Sequence, residues 1–341
     1  MRTGDKTTRP FSLSARITCR SYSLNLQRVI VDLGADVSFY DAQKKVKEHY
    51  NLEVPLSSVQ CIVENHAKNI FDFIESDKSK LKGGNALQLI AEMDGSMVPI
   101  VETGTLPNGH DNRRNRITRW QEARLCFVRS ANEVTPVFYA TMGDVERAGE
   151  LLYRAALRVG LGMRTKIHGL GDGAPWIEDQ MRRVFCKNVK YLVDFYHVGE
   201  YLAAAAEHSW NSEKEKWRKE CQDLLKQSMS EEVLERIKRR LPLEWEVKKT
   251  QKNGIEDTPV EKCYRYLNNR KSNLDYKEAL DRNLPIGSGE VESGHRHIIQ
   301  KRLKIAGAWW KSTTAEHMLS LRVLRANDDW SDYWKTQREA A

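Results

Sequence analysis

Residues 86–197 carry a succession of periodicities that few folds accommodate: three strand patterns in a row, then helix, strand, helix and strand. ALQLIAEMDG sets Leu87, Leu89, Ala91 and Met93 against Ile90, Glu92 and Asp94, the alternation of a strand. After the polar, basic loop VETGTLPNGHDNRRNRITR, WQEARLCFVRS and TPVFYATMG read as two more strands in hairpin-like succession. DVERAGELLYRAALRVG switches to helical spacing. Asp144 caps it, Leu151, Leu152, Ala155 and Ala156 line one face, and Gly160 closes it. TKIHGLGDG is a fourth strand, APWIEDQMRRVFC a helix with Pro175 near its first turn, and NVKYLVDFYH a fifth strand. The first three strands suit an antiparallel meander. The later two suit parallel additions through helical crossovers.

This is the element order of an α/β, ribonuclease-H-like core, a mixed five-stranded sheet with flanking helices, expected over 86–197 and 284–325. Residues 1–25 read as a poorly ordered lead-in, polar and broken by Gly and Pro. Residues 26–85 read as a helical domain and linker. LNLQRVIVDLG ends at Gly34 as a C-cap, and SFYDAQKKVKEHY is followed by the break NLEVP. LSSVQCIVENHAKNIFDFIESDK then puts Val59, Ile62, Val63, Ile70 and Phe71 on one stripe, with Ser57 or Ser58 as cap. Two helices about a tight turn are helix-turn-helix-like, with Gln60, Asn65 and Lys68 as groove contacts. Any small helical subdomain shows the same spacing. Residues 198–283 are charged and helical, an all-α insertion, and 326–341 form a Trp-rich C-terminal tail.

The formal net charge of +8 favours polyanionic partners. Cys19, Cys61, Cys126, Cys186, Cys221 and Cys263 form no C-x-x-C pair, which argues against a zinc ribbon or disulfide framework and for reduced thiols. With no apolar run of about 18 residues and no secretory core, the expected location is cytoplasmic and nucleoid-associated, away from membranes.

Three acidic positions carry the chemistry. Asp94 and Asp172 each end a strand ahead of a Gly, and Glu292 opens a helix rich in His, Lys and Arg. Carboxylates gathered from distant segments suit Mg²⁺ (or Mn²⁺), and two ions about 4 Å apart can clamp both oxygens of a phosphoryl transfer. Neighbouring strands lie about 4.8 Å apart, so Asp172 is preferred as second ligand over its rival Asp194, about 10 Å from Asp94. Strand-end Asp-Gly is also an ordinary turn signature, and any one of these alone reads as a turn. Glu290 and Glu292, two apart on a helix capped by Ser288, cannot both face a metal. Acids there also suit the helix dipole.

His295 lies one turn beyond Glu292. Arg296, Lys301, Arg302 and Lys304 follow as phosphate contacts, although a solvated basic face reads the same way. Asp194 and His197 are expected to brace the site, with His295 beside them. A zinc site from His197, His295 and His297 lacks H-E-x-x-H spacing. In the insertion, Trp210, Trp217 and Trp245 offer base-stacking surfaces, core packing being the plainer role for each.

MDGSMVPI, WQEARLCFV, GDGAPWI, YLVDFYHVGEYL and LPIGSGEVESGHRHIIQKRLKIAGAWW, in this order, resemble the DDE transposases of bacterial insertion sequences of the Kra type, related to Mutator-like transposases. The resemblance runs from about residue 26 to about 325. It implies that Asp94, Asp172 and Glu292 are the catalytic, metal-holding triad and that Asp194 and His197 are the family's C/D-x-x-H element. It further implies an insertion domain in the helical block and a shortened N-terminal end-recognition module. The expected partners are double-stranded DNA, as terminal inverted repeats and target, and further copies of the chain on that DNA. A DNA-binding product without catalysis and a related metal-dependent nuclease that cuts without joining are the alternatives.

Overall fold

The structure, a computed structural model, describes residues 22–103, 116–209, 213–242, Trp245 and 257–340, with two-residue strands at Arg2–Thr3, Lys6–Thr7 and Ile17–Thr18. Most of the expected lead-in, the tip of the loop after Thr103 and Trp210 lie outside the described residues.

The expected strands form one mixed sheet: β1 (Gln88–Thr103), β2 (Arg116–Ser130), β3 (Val137–Thr141), β4 (Lys166–Gly171) and β5 (Val189–Val193). Their order is β3-β2-β1-β4-β5. The first three are antiparallel, and β4 and β5 join in parallel. Helices α4 (Val145–Val159) and α5 (Pro175–Phe185) supply the crossovers. Asp144 Oδ1 accepts from Arg147 N at 2.8 Å and Gly160 closes α4, as the spacing indicated.

The basic loop after Asp94 is shorter than its composition suggests. β1 and β2 stay paired out to Thr103↔Arg116, because Val98 and Ile100 continue the buried alternation. Pro99 is tolerated within β1 because its missing N–H falls on the edge away from β2. On that edge its carbonyl accepts from Trp310 N at 3.2 Å and Val101 N donates to Trp310 O at 2.8 Å.

One face of the sheet is covered by α4 and α5. Cys126 Sγ sits 3.2 Å from Ala148 O, and Met181 and Ile177 close over Gly169 and Gly171. The other face takes the C-terminal helices. These are α11 (Gly289–Gly294), a π-helical turn His295–Gln300 that continues it, α12 (Lys301–Leu303), α13 (Ser312–Ala326) and α14 (Trp330–Ala340).

The N-terminal helices α1 (Leu24–Asp36), α2 (Phe39–Tyr50) and α3 (Leu56–Ser76) share this second layer. Gly34 is not a C-cap, because α1 runs on to Asp36 and Gly34 lies buried against Val63. Pro55 precedes α3, so Ser57 and Ser58 sit within its first turn instead of capping it. Arg322 and Arg325 of α13 hold Asp36 and Asp32. His66 bridges Tyr333 Oη at 2.7 Å and Gln27 Oε1 at 2.9 Å. The tail is thus a helix whose Tyr333 and Trp334 are fully buried.

Between β5 and α11 the described residues are helical: α6 (Phe195–Ser209), α7 (Lys214–Lys226), α8 (Ser230–Lys238), α9 (Pro259–Asn269) and α10 (Tyr276–Asp281). No described helix is long and apolar enough to cross a membrane.

Candidate active site

Strand register places the acids. β1 and β4 pair in parallel through Glu92↔Leu170, so two residues on, Asp94 stands level with Asp172. β4 and β5 pair through Gly171↔Val193, so the next position sets Asp172 level with Asp194. Three aspartates therefore form one row on one face, across neighbouring strands about 4.8 Å apart. The row lies at the carboxyl ends of the parallel strands, where β4 and β5 stop and β1 runs on. Open α/β sheets bind their ligands at such ends.

Asp94 is partly exposed. Its Oδ1 accepts from Gly95 N at 2.7 Å, and its Oδ2 lies 3.1 Å from His295 Nε2. That approach is close without the alignment of a hydrogen bond. Neither ring nitrogen of the buried His295 has a hydrogen-bond partner among the described residues. An unsatisfied buried imidazole costs stability and is the sort of feature functional sites retain.

Asp172 Oδ1 accepts from Ala174 N at 2.8 Å, turning the chain into α5. The insertion clamps this loop: Tyr266 Oη donates to Asp172 O at 2.5 Å and Arg270 Nε to Gly173 O at 2.7 Å. Gly173 has φ +85°, and a Cβ there would meet Arg270 Nε at 2.4 Å. Both facts require the glycine that follows the aspartate.

Asp194 is fully engaged. Its Oδ1 accepts from Tyr196 N at 2.6 Å and His197 N at 3.1 Å, and its Oδ2 from Ser288 N at 2.7 Å and Ser288 Oγ at 2.5 Å. The carboxylate caps α6 and pins the start of α11, leaving no free lone pair directed at an ion. Ser288 is spent on this bond and caps α11 with no side-chain contact. His197 stands 3.3 Å from Glu200 and edge-on to Tyr201 and Tyr266. It shares no group with His295 and His297 that could hold zinc.

On α11 the two glutamates part as their spacing requires. Glu290 is forked by Arg129, with Nε 2.8 Å from Oε1 and 3.0 Å from Oε2. Glu292 is exposed and has no side-chain partner among the described residues. It lies one turn before His295, which reaches Asp94, at the flank of the helix side that Val291, Gly294 and His295 bury. Gly294 permits this approach, since a Cβ there would be 2.8 Å from Leu125 Cδ2 and from Phe138 Cε1.

Glu92, two residues before Asp94 on the same face, is a buried acid beside the row that the strand pattern concealed. It is fully buried, its Oε2 accepts from Val291 N at 2.7 Å and its Oε1 has no partner among the described residues. Burial foremost, with Glu290 and Asp194 adding negative charge, pushes its carboxyl up to about 8.

The residues expected to contact nucleic acid divide by exposure. Arg296, Lys301 and Lys304 are exposed, as are Gln60, Asn65 and Lys68 on α3. Arg302 is not on that basic face. It is buried between the Phe39 and Trp310 rings, 4.7 and 4.8 Å from their centroids, and donates from Nε to Gly34 O at 2.8 Å. The π-helical turn shifts the helical phase ahead of it. Trp217 is buried in the insertion rather than presented to a base, and Trp245 stacks edge-on with Tyr264 at 5.0 Å. Exposed tryptophans are found instead at Trp120 and Trp309, 6.3 Å apart beyond Asp94.

The donor chemistry of Asp94, Asp172 and Glu292, all carboxylate oxygen, fits a hard divalent cation. As they stand, no three His, Cys, Asp or Glu side chains among the described residues are gathered closely enough to hold one. No protein-family model matches the chain, and no curated protein matches it.

Proposed function

We propose that the chain is a DNA transposase that cleaves and joins phosphodiesters, built on a ribonuclease-H-like core. The observation that carries this reading is the level placement of Asp94, midway along β1, and Asp172, at the end of the neighbouring β4, near the helix bearing Glu292, which has no side-chain partner among the described residues. A net charge of +8 and the exposed cations after His295 support a polyanionic substrate.

Asp94, Asp172 and Glu292 would hold two Mg²⁺ or Mn²⁺. Such ions, when bound, polarise the phosphoryl group and make water or a 3′-hydroxyl nucleophilic at neutral pH. The chain's own residues set the geometry. His295 limits the rotation of the Asp94 carboxylate. Tyr266 and Arg270 fix the Asp172 loop through its backbone. Asp194, by holding Ser288 and capping α6, ties the Glu292 helix to the end of β5. Glu292, with no side-chain partner among the described residues, is left available to an ion. Lys304 and Arg296 offer charge to phosphates beside it.

The test is strand cleavage on duplexes carrying the inverted repeats that flank the gene. Cleavage requiring Mg²⁺, lost by at least about a thousandfold in Asp94→Asn, Asp172→Asn and Glu292→Gln with DNA binding retained, supports the proposal. Equal cleavage by Asp172→Asn contradicts it. Cleavage without joining of pre-cut ends identifies a nuclease, and binding without cleavage identifies an end-occupying inhibitor.

A further inference from the structure

A cavity of about 660 Å³ opens where α2 and α3 meet the far end of the β1–β2 arm and the loop before α13. Arg302 lines it and is 2% exposed. Its Nε is spent on Gly34 O and its plane lies between the Phe39 and Trp310 rings; among the described residues it forms no ion pair, and its Nη2 has no hydrogen-bond partner. Buried cations in proteins are normally paired, because stripping a charge of water without compensation costs several kcal/mol. Burial here holds the guanidinium down to about 10, far below its ordinary range.

A second, independent feature faces the same cavity. α13, fifteen residues from Ser312, has Lys311 at its N-cap and no side chain capping its free N–H groups, and Lys311 and Thr314 both line the cavity. An uncapped helix start concentrates partial positive charge and outward donors. Three cations, Arg116, Arg302 and Lys311, face one carboxylate, Glu64, which is tied to Gln60 at 2.9 Å.

We infer that this cavity is an anion site that seats a phosphate of a DNA strand between Arg302, Lys311 and the start of α13. The choice of DNA rests on the proposed function; the affinity for phosphate does not. The strand that carries Asp94 leads to the cavity, whose wall includes Trp310, hydrogen-bonded to Pro99 and Val101 of β1. At roughly 3.3 Å per residue, Pro99 lies about 17 Å beyond Asp94, a few nucleotides along a bound strand. The exposed Trp120 and Trp309 flank that path. The site therefore holds DNA away from the reacting phosphate and sets its register.

The experiment measures binding of a fluorescent DNA duplex to the full chain in EDTA over a salt series, so that neither cleavage nor a divalent ion enters. Lys311→Ala should bind roughly threefold and Arg302→Met roughly tenfold more weakly, each with a log–log salt slope shallower by about 0.9 for every phosphate left unneutralised. A merely structural Arg302 would not change that slope. Lys311→Ala should melt with the parent, whereas Arg302→Met gives up the Gly34 bond and the contacts with the Phe39 and Trp310 rings along with the buried charge, so for that variant the salt slope is the readout. Should Arg302→Met fail to fold, Lys311→Ala decides. Unchanged affinity and slope in a folded variant overturn the inference. Thermal protection by inorganic phosphate over chloride at equal ionic strength, abolished in both variants while duplex binding is unaltered, also overturns it and assigns the cavity to a small phosphate. Loss of the transposase reading in the cleavage assay leaves these binding results standing.

Discussion

At the scale of single residues, the candidate site is organised by groups that stand behind the carboxylate row. Tyr266 acts on Asp172 through a backbone carbonyl, so Tyr266→Phe removes one hydrogen bond and leaves the ring stack with Tyr201. Its stability should fall by only about 1 kcal/mol in urea denaturation, while cleavage slows and duplex affinity holds. Asp194 differs, because one buried carboxylate satisfies four donors. Asp194→Ala should cost about 3 kcal/mol or more and abolish cleavage, read by the same denaturation and by the nicking assay. Asp172 was legible because a strand pattern ending in Asp-Gly marks a turn that carries an acid, whereas at Asp94 the same pattern misplaces the strand end, because β1 runs on to Thr103. Glu92 was not: one charged residue within an apolar alternation reads as facing water, and only the covering helix turns that face into interior. Arg302 misled for a related reason: one cation in a basic run reads as part of a solvated face, and only its seat between the Phe39 and Trp310 rings turns it inward.

At the scale of elements, the sheet order follows from alternation and crossover length, and both are local. What local pattern could not supply is the close seating of α11 on β2 and β3. That seating depends on Gly294, whose missing Cβ leaves room for Leu125 and Phe138. Gly294→Val should lower stability by about 1–3 kcal/mol and reduce cleavage out of proportion to DNA binding, because it lifts the helix bearing Glu292 and His295 off the row. Calorimetric melting with parallel cleavage and binding assays checks this. A fully active Gly294→Val protein would show that the helix seating is irrelevant to the reaction. The reach of β1 and β2 past Asp94 was hidden by the basic loop composition, although the Val98 and Ile100 alternation announces it.

At the scale of the whole molecule, the first helices and the last are one layer. The bond from His66 to Tyr333 spans 267 residues and leaves no spacing signal in the sequence. Burial holds His66 down at about 4 against an ordinary 6.5, so it folds as the neutral ring. The unfolded chain takes up the proton first as pH falls below about 6.5. Stability is therefore complete above that pH, declines between 6.5 and 4, and by linkage loses about 3 kcal/mol in all. Denaturation at pH 7 and pH 5 should show this loss, and His66→Gln should flatten it. An equal loss in His66→Gln would place the titrating group elsewhere. The central claim concerns the row that Asp94, Asp172 and Asp194 form across β1, β4 and β5. Anomalous scattering from crystals grown with Mn²⁺ and an inverted-repeat duplex tests it most directly. Two manganese peaks about 4 Å apart, bonded by Asp94, Asp172 and Glu292, are the predicted result. Manganese bound elsewhere, with those three carboxylates apart, would contradict the account.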